Sequence, residues 1–119
     1  MAKLRRKDGI TILDIPSVKT VRELVEHAID YGVDLRHVDL ENADLAGADL
    51  STGDFRGALF NGADLRNANF SSADVRGASF LEAKINERTR FRDLFFLGSE
   101  FEGAVVERPE YETYERSPK

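Results

Sequence analysis

The residues of this sequence that could do chemistry are two histidines and a large set of carboxylates. His27 and His37 could act as bases or metal ligands, but neither has a second ligand of suitable type at a metal-binding spacing. The chain has no cysteine, which removes thiolate nucleophiles, disulfides and thiolate metal sites. We therefore predict no enzymatic activity, no catalytic residue, no cofactor and no metal site.

The carboxylates recur in one local context, directly before a large apolar residue, as in GADLR. Because that context repeats, no two carboxylates stand out as an acid–base couple. Their arrangement has to be understood from the repeat that positions them.

Large apolar residues occur at every fifth position through the middle of the chain. The unbroken series is Leu35, Leu40, Leu45, Leu50, Phe55, Phe60, Leu65, Phe70, Val75, Phe80 and Ile85. A small residue, usually alanine, lies two positions before each of them. The phase slips by one residue near Arg88, and the series then resumes as Phe91, Phe96, Phe101 and Val106.

A period of five belongs to neither regular element. Five residues rotate the direction on an α-helix by about 140°, so the large residues would scatter around its axis. On a flat strand they would invert the face at each repeat. The chain must therefore turn a corner once per repeat, and four corners close a coil that stacks on the next at a strand spacing of about 4.8 Å.

Repeats such as NADLA, GADLS, GADLR, NANFS and SADVR resemble the A(D/N)LXX motif of pentapeptide repeat proteins, over about residues 33 to 108. The resemblance implies an all-β fold, a right-handed quadrilateral β-helix. Its small and large residues would point inward, and the other three positions of each repeat outward. The last four repeats depart from the motif, with Thr89, Leu94 and Ser99 at the small position.

The segment before the repeats has a helical pattern. Thr20 and Glu23 form a capping-box signature, apolar residues follow on one face, and Gly32 is a stop signal. We predict a helix over about residues 21 to 31 that covers the open end of the first coil. A helix that binds a partner is the alternative.

The two ends of the chain complete the organisation. The run ITILDIP predicts a short extended segment that ends at Pro16, and the basic cluster Lys3, Arg5, Arg6 and Lys7 before it predicts a flexible, solubilising start. The predicted units are an N-terminal segment with a capping α-helix at 1–32, the repeat β-helix at 33–108 and a tail at 109–119. The tail is expected either to be disordered or to fold back through Tyr111 and Tyr114.

Residues twenty apart share a face of the predicted coil, which allows four outward faces to be assigned. The first carries Asp34, Asp54 and Asp74 beside Arg36, Arg56 and Arg76, followed by Phe95 and Leu97. The second carries Asp39, Glu41, Glu82, Glu100 and Glu102, interrupted by Leu59 and Leu81, without a basic residue of its own. The third carries Asp44, Asp64, Arg66, Lys84 and Glu107. The fourth carries Asp49, Asn69, Ser71 and Ser72, then Arg90 and Arg92.

The faces provide the candidate sites. The acidic second face (Asp39, Glu41, Glu82, Glu100, Glu102) is predicted to bind a protein partner of unknown identity. Phe95 and Leu97 are predicted to support a homodimer through the C-terminal end of the β-helix, with coverage by Tyr111 or Tyr114 as the alternative.

The family resemblance suggests a non-enzymatic interaction module, a regulator or inhibitor of the small bacterial or phage type. Some pentapeptide repeat proteins imitate duplex DNA and modulate DNA gyrase or topoisomerase. One alternative function is therefore DNA mimicry towards a DNA-binding partner such as gyrase. A second alternative is a structural element that self-assembles. The acidic and basic residues of 33–108 are interleaved, which weakens the mimicry reading.

Composition restricts the surroundings of the protein. A net charge of −5 argues against direct binding of nucleic acid. The sequence has no apolar run of about eighteen residues and no apolar leader segment, so we expect no membrane association. Together with the lack of cysteine, this predicts a cytoplasmic protein.

Overall fold

The computed structural model describes residues 2–100 and the backbone of residues 105–107. The expectations for Phe101, Glu102, Tyr111 and Tyr114, and for the tail at 109–119, lie outside the described residues. The elements in chain order are β1 (Leu4–Arg6), β2 (Thr11–Leu13), α1 (Val21–Asp30), β3 (Val38–Asp39), β4 (Lys84–Asn86) and β5 (Val105–Glu107).

The repeats pair in parallel with a period of twenty residues. Asp44 is bridged to Asp64, and Asp64 in turn to Lys84. The period becomes 21 between Asn69 and Arg90, which confirms one inserted residue between these repeats. A period of twenty corresponds to four five-residue repeats per coil, and the chain thus adopts a repeat β-helix fold.

The interior of the coils is filled by the two positions that the sequence predicts to point inward. Alanines at the small position are fully buried from Ala58 to Ala83. The rings of Phe60 and Phe80 stack with centroids 4.7 Å apart, one coil above the other. At Gly53 an added Cβ would come within 2.3 Å of the Phe55 ring, so an alanine at this small position would require the ring to move.

The inward prediction fails at Phe96. This ring is 62% exposed, although it occupies the large position of its repeat. The small position of this repeat holds Leu94 instead of alanine, and Leu94 packs against the core, which leaves less interior space for the large residue. Phe91, in the preceding repeat, is half-buried.

The corners of the coils have a backbone conformation that the sequence analysis did not predict. The fifth residue of each repeat from His37 to Glu82 has a positive φ, and Asp93 and Gly98 share it beyond the insertion. At Gly57 the His37 imidazole lies against the corner, where a Cβ would be 2.4 Å from its Nδ1 atom. Left-handed corners explain why glycine and asparagine recur at this position.

The predicted helix is confirmed as α1. Thr20 Oγ1 accepts a hydrogen bond from the Glu23 N–H at 3.1 Å, and Gly32 follows the helix with φ 69°. Leu24, Val25 and Ala28 are buried against the core. A carboxylate oxygen of Glu26 accepts from the Asp49 N–H at 2.8 Å, so the helix satisfies a free edge group of the first coil.

The basic start of the chain is ordered, so the prediction of a flexible segment is wrong. Strand β1 pairs antiparallel with β2 on one side and with β3 on the other. Its Leu4 is fully buried, and that burial fixes the segment. The extended segment predicted before Pro16 is present as β2.

Candidate functional site

The aspartate before each large residue has a backbone partner. Its Oδ1 accepts a hydrogen bond from the N–H two residues further on, as in Asp39 to Glu41 at 3.1 Å and Asp49 to Ser51 at 3.1 Å. Asn69 makes the same bond to the Ser71 N–H at 2.9 Å with its amide oxygen. The aspartates of the repeat are therefore turn residues first and surface charges second.

On the first face each aspartate is also paired with an arginine of its own repeat. The Arg76 guanidinium donates to both oxygens of Asp74, at 2.9 Å from Nε and 2.6 Å from Nη2. The same two-point pairing joins Arg56 to Asp54. Hydrogen bonds from these guanidinium groups hold the pKa of each aspartate below its usual range.

Asp34 and Asp64 repeat this pairing on the first and third faces. The bonds from Arg36 place the pKa of Asp34 well below its usual range, and those from Arg66 also lower the pKa of Asp64. Opposite charges thus cancel within each described Asp–Arg repeat of the first face and within the Asp64–Arg66 repeat of the third.

The acidic residues predicted for partner binding are spread over the second face. Asp39, Leu59, Ser79 and Glu100 form one ladder of bridged positions, so its two acids are separated by two uncharged residues. Glu82 is a corner residue with φ 58°, outside this ladder. The second face is therefore acidic at its two ends and neutral in between.

The N-terminal end of the second face has basic neighbours that sequence reasoning missed. Arg5 of β1 pairs through its backbone with Asp39, and Lys3, Arg5, Asp39 and Glu41 line one groove. Alternating polarity in the start of the chain was the available signal for this strand. Glu41 also accepts from the Asn61 amide at 3.3 Å.

The C-terminal end of the second face is different. Glu82 and Glu100 are both exposed. Within the described part of the chain, neither carboxylate has an ion-pair partner. Asp39 and Glu41 are exposed as well but share a groove with Lys3 and Arg5, so Glu82 and Glu100 are the described acidic groups of this face outside that groove.

The residues predicted for self-association lie side by side on the first face. We call the outward residues that one coil contributes to a face a rung of that face. Phe95 is 57% and Leu97 81% exposed. Phe95 is bridged to Asp74, which places it directly above the aspartate ladder. Phe95 and Leu97 therefore form an exposed apolar surface on this face.

The histidines have structural surroundings. His27 stacks on Tyr31 in the last turn of α1, with ring centroids 4.4 Å apart. His37 is the corner residue that packs on Gly57. In the described residues, no three side chains of metal-ligand type form a group that could hold an ion.

Comparison with protein families gives the class of this chain. The family model described as pentapeptide repeats matches it with eight copies, over residues 31–58 and 54–85. The matched residues are those that form the regular coils. The chain belongs to the pentapeptide repeat proteins, as its sequence motif predicts.

One solved structure with similarity is that of HetL, a pentapeptide repeat protein involved in heterocyst differentiation regulation from the cyanobacterium Nostoc sp. strain PCC 7120. The identity is 24% and the TM-score 0.28, over 65% of this chain and 41% of the HetL chain. This chain thus matches about two fifths of the length of HetL. No curated protein matches the sequence.

The described residues also bear on membrane association. None of their helices has the length and apolar character that crossing a bilayer requires.

Proposed function

We propose that this protein is a non-enzymatic interaction module that binds a protein partner through the outward faces of a right-handed quadrilateral β-helix. The observation that carries the proposal is the division of each repeat. Two positions fill the coil, and the rest form ladders of side chains on flat faces. We further propose that it acts in the cytoplasm as a bacterial or phage regulator, and inhibits its partner by competing with a natural ligand.

The C-terminal half of the second face is the surface that we assign to the partner. Glu82 and Glu100 are exposed and unpaired within the described chain, whereas the carboxylates of the first face are held by arginines of their own repeats. A basic protein surface would complement these two glutamates. Glu102, which follows Glu100 in the same repeat, lies outside the described residues and stays a sequence prediction for this site.

DNA mimicry towards gyrase or topoisomerase is the alternative function, and the charge pairing weakens it. A mimic of duplex DNA needs rows of uncompensated negative charge. On the first and third faces, Asp54, Asp64 and Asp74 are instead neutralised by two-point bonds from arginine. A supercoiling assay with gyrase separates the alternatives, because the mimic should inhibit or protect at stoichiometric protein and lose its effect in high salt.

Affinity capture from bacterial lysate tests the proposed surface. The bait variants are the full chain, Glu82→Lys combined with Glu100→Lys, and a control with Asp30→Lys and Glu87→Lys. All four substituted residues are exposed, and both double variants change the net charge by the same amount. We expect the first double variant to lose at least about 90% of the captured partner, since two reversed contacts weaken binding more than tenfold.

The control variant should recover the same partner as the unmodified chain. Equal recovery by both double variants would remove the second face from the proposal. Loss with both would mean that net charge, and not this surface, governs the capture.

A further inference from the structure

The first face ends in an apolar rung that is out of keeping with the rungs below it. Asp54–Arg56 and Asp74–Arg76 occupy the same two outward positions as Phe95 and Leu97 do one coil further on. An exposed aromatic and an exposed leucine side by side on a charged face are typical of a contact surface.

The two outward positions make the two sides of this face different. The aspartates and Phe95 form one column, and the arginines and Leu97 form the second column beside it. If two copies face each other with their coil axes parallel, a two-fold axis between them sets each column against the other column of the partner. The aspartate column then faces the arginine column, and Phe95 faces Leu97.

We propose that a second copy of this chain covers the first face, in a parallel, side-by-side homodimer. Two features carry the proposal. In each charged rung the aspartate of one copy faces the arginine of the other, and the apolar rungs of the two copies lie at the same height along the coil axis. In an antiparallel pair, by contrast, aspartate would face aspartate and arginine would face arginine, with like charges opposed.

The neighbouring faces fit the same arrangement. Arg90 and Arg92 lie on the fourth face, just before the apolar rung, and Glu100 lies on the second face just after it. All three are exposed. Under the parallel two-fold, the basic flank of one copy lies beside the acidic flank of the other.

The existing ion pairs do not prevent this contact. Arg76 binds Asp74 through Nε and Nη2, which leaves its Nη1 donors without a partner among the described residues. The Arg76 side chain is 49% exposed. A facing carboxylate can therefore be added to the pair instead of replacing it.

The size of the face limits the affinity. Four rungs at a spacing of about 4.8 Å give a strip about 14 Å high. The area that such a strip can bury is well below that of a standard stable interface. We therefore expect a reversible dimer that forms at roughly tens to hundreds of micromolar protein. The inference rests on the first face and the proposed partner on the second, and the two surfaces share only Glu100, which flanks the apolar rung.

Sedimentation equilibrium of the full chain tests whether the dimer exists. We expect a monomer–dimer equilibrium that Leu97→Asp weakens at least about tenfold, because the apolar contact is replaced by a buried charge. Ala46→Asp is the control, since half-buried Ala46 has the same position in its repeat on the third face, opposite the first, and it should leave the equilibrium unchanged. A monomer at all concentrations, or equal loss in both variants, would overturn the proposal.

Disulfide trapping tests the orientation, and the lack of native cysteine gives it a clean background. The single variants Phe95→Cys and Leu97→Cys are oxidised separately and as a mixture. In the parallel dimer the mixture should form covalent dimers several-fold faster than either variant alone, because position 95 faces position 97. Faster trapping within each separate variant would indicate an antiparallel pair whose two-fold axis passes through the apolar rung, and it would contradict the proposal.

Discussion

At the scale of the residue, the aspartate of the repeat has a structural role in the turn that is independent of its charge. Its Oδ1 closes a turn onto the N–H two residues further on, and Asn69 does the same without a charge. The motif accepts either residue because both supply this oxygen. A count of acidic residues therefore overstates how many of them are available to a partner.

This division of roles predicts a difference between two substitutions of Asp74. Asp74→Asn retains the acceptor for the Arg76 N–H and removes only a screened ion pair, so the free energy of unfolding should change little. Asp74→Ala also removes the turn bond and should be about 1 kcal/mol less stable than Asp74→Asn. Urea denaturation of both variants measures the difference, and equal stabilities would contradict the backbone role.

The lowered pKa values predict how stability depends on pH. The pKa values of Asp34, Asp54, Asp64 and Asp74 are lower in the folded protein than the value of about 3.9 in an unfolded chain. Their contribution to stability is therefore complete above about pH 4 and is lost as the pH falls through the folded-state values.

Denaturation between pH 7 and pH 2 measures this loss. A variant with Asp54→Asn and Asp74→Asn should lose less stability in acid than the unmodified chain, because two of the four groups no longer titrate. Parallel curves for the two proteins would show that the pairs with arginine contribute nothing.

At the scale of the element, α1 stabilises the first coil through two polar contacts and an apolar stripe. Glu26 accepts from the Asp49 N–H at 2.8 Å, and Arg22 reaches the Ala46 carbonyl at 3.4 Å. Beside it, β1 pairs with the edge of β3 and extends the second face at the first coil. Helix and strand together protect a sheet edge that would otherwise invite pairing with other chains.

The helix contact gives a prediction with an internal control. Glu26→Ala leaves the Asp49 N–H without its carboxylate acceptor and should lower the free energy of unfolding by about 1 kcal/mol. Glu26→Gln keeps an acceptor oxygen at the same reach and should lose less than half of that. Thermal denaturation of the two variants provides the measurement, and a loss of equal size in Glu26→Gln would assign the effect to charge instead.

The elements also differ in how far the sequence predicted them. The coils and α1 follow from local rules, a period of five and a capping signal, and both were found. The pairing of β1 with β3 joins Arg5 to Asp39, and a contact between such distant positions has no local signature. The exposure of Phe96 was missed for a different reason, since the pattern records the phase of a repeat but not the interior space that Leu94 takes from the large residue.

At the scale of the whole molecule, the repeat separates architecture from recognition. The inward positions hold similar residues in almost every repeat of this chain. They therefore determine the fold, but they do not make one face different from another. The faces differ in their outward residues. The first face has Asp–Arg ion pairs and ends in an apolar rung, and the second has glutamates without ion pairs at one end. Sequence spacing placed residues on these faces correctly, whereas the pairing of Asp74 with Arg76 required side-chain geometry.

The capture experiment tests the central claim, that the C-terminal half of the second face binds the protein partner. The decisive quantity is the partner recovered by the variant with Glu82→Lys and Glu100→Lys, relative to the control with Asp30→Lys and Glu87→Lys. Recovery should fall at least about tenfold in the first and remain at the level of the unmodified chain in the second. Equal recovery of the partner by both variants would contradict the claim.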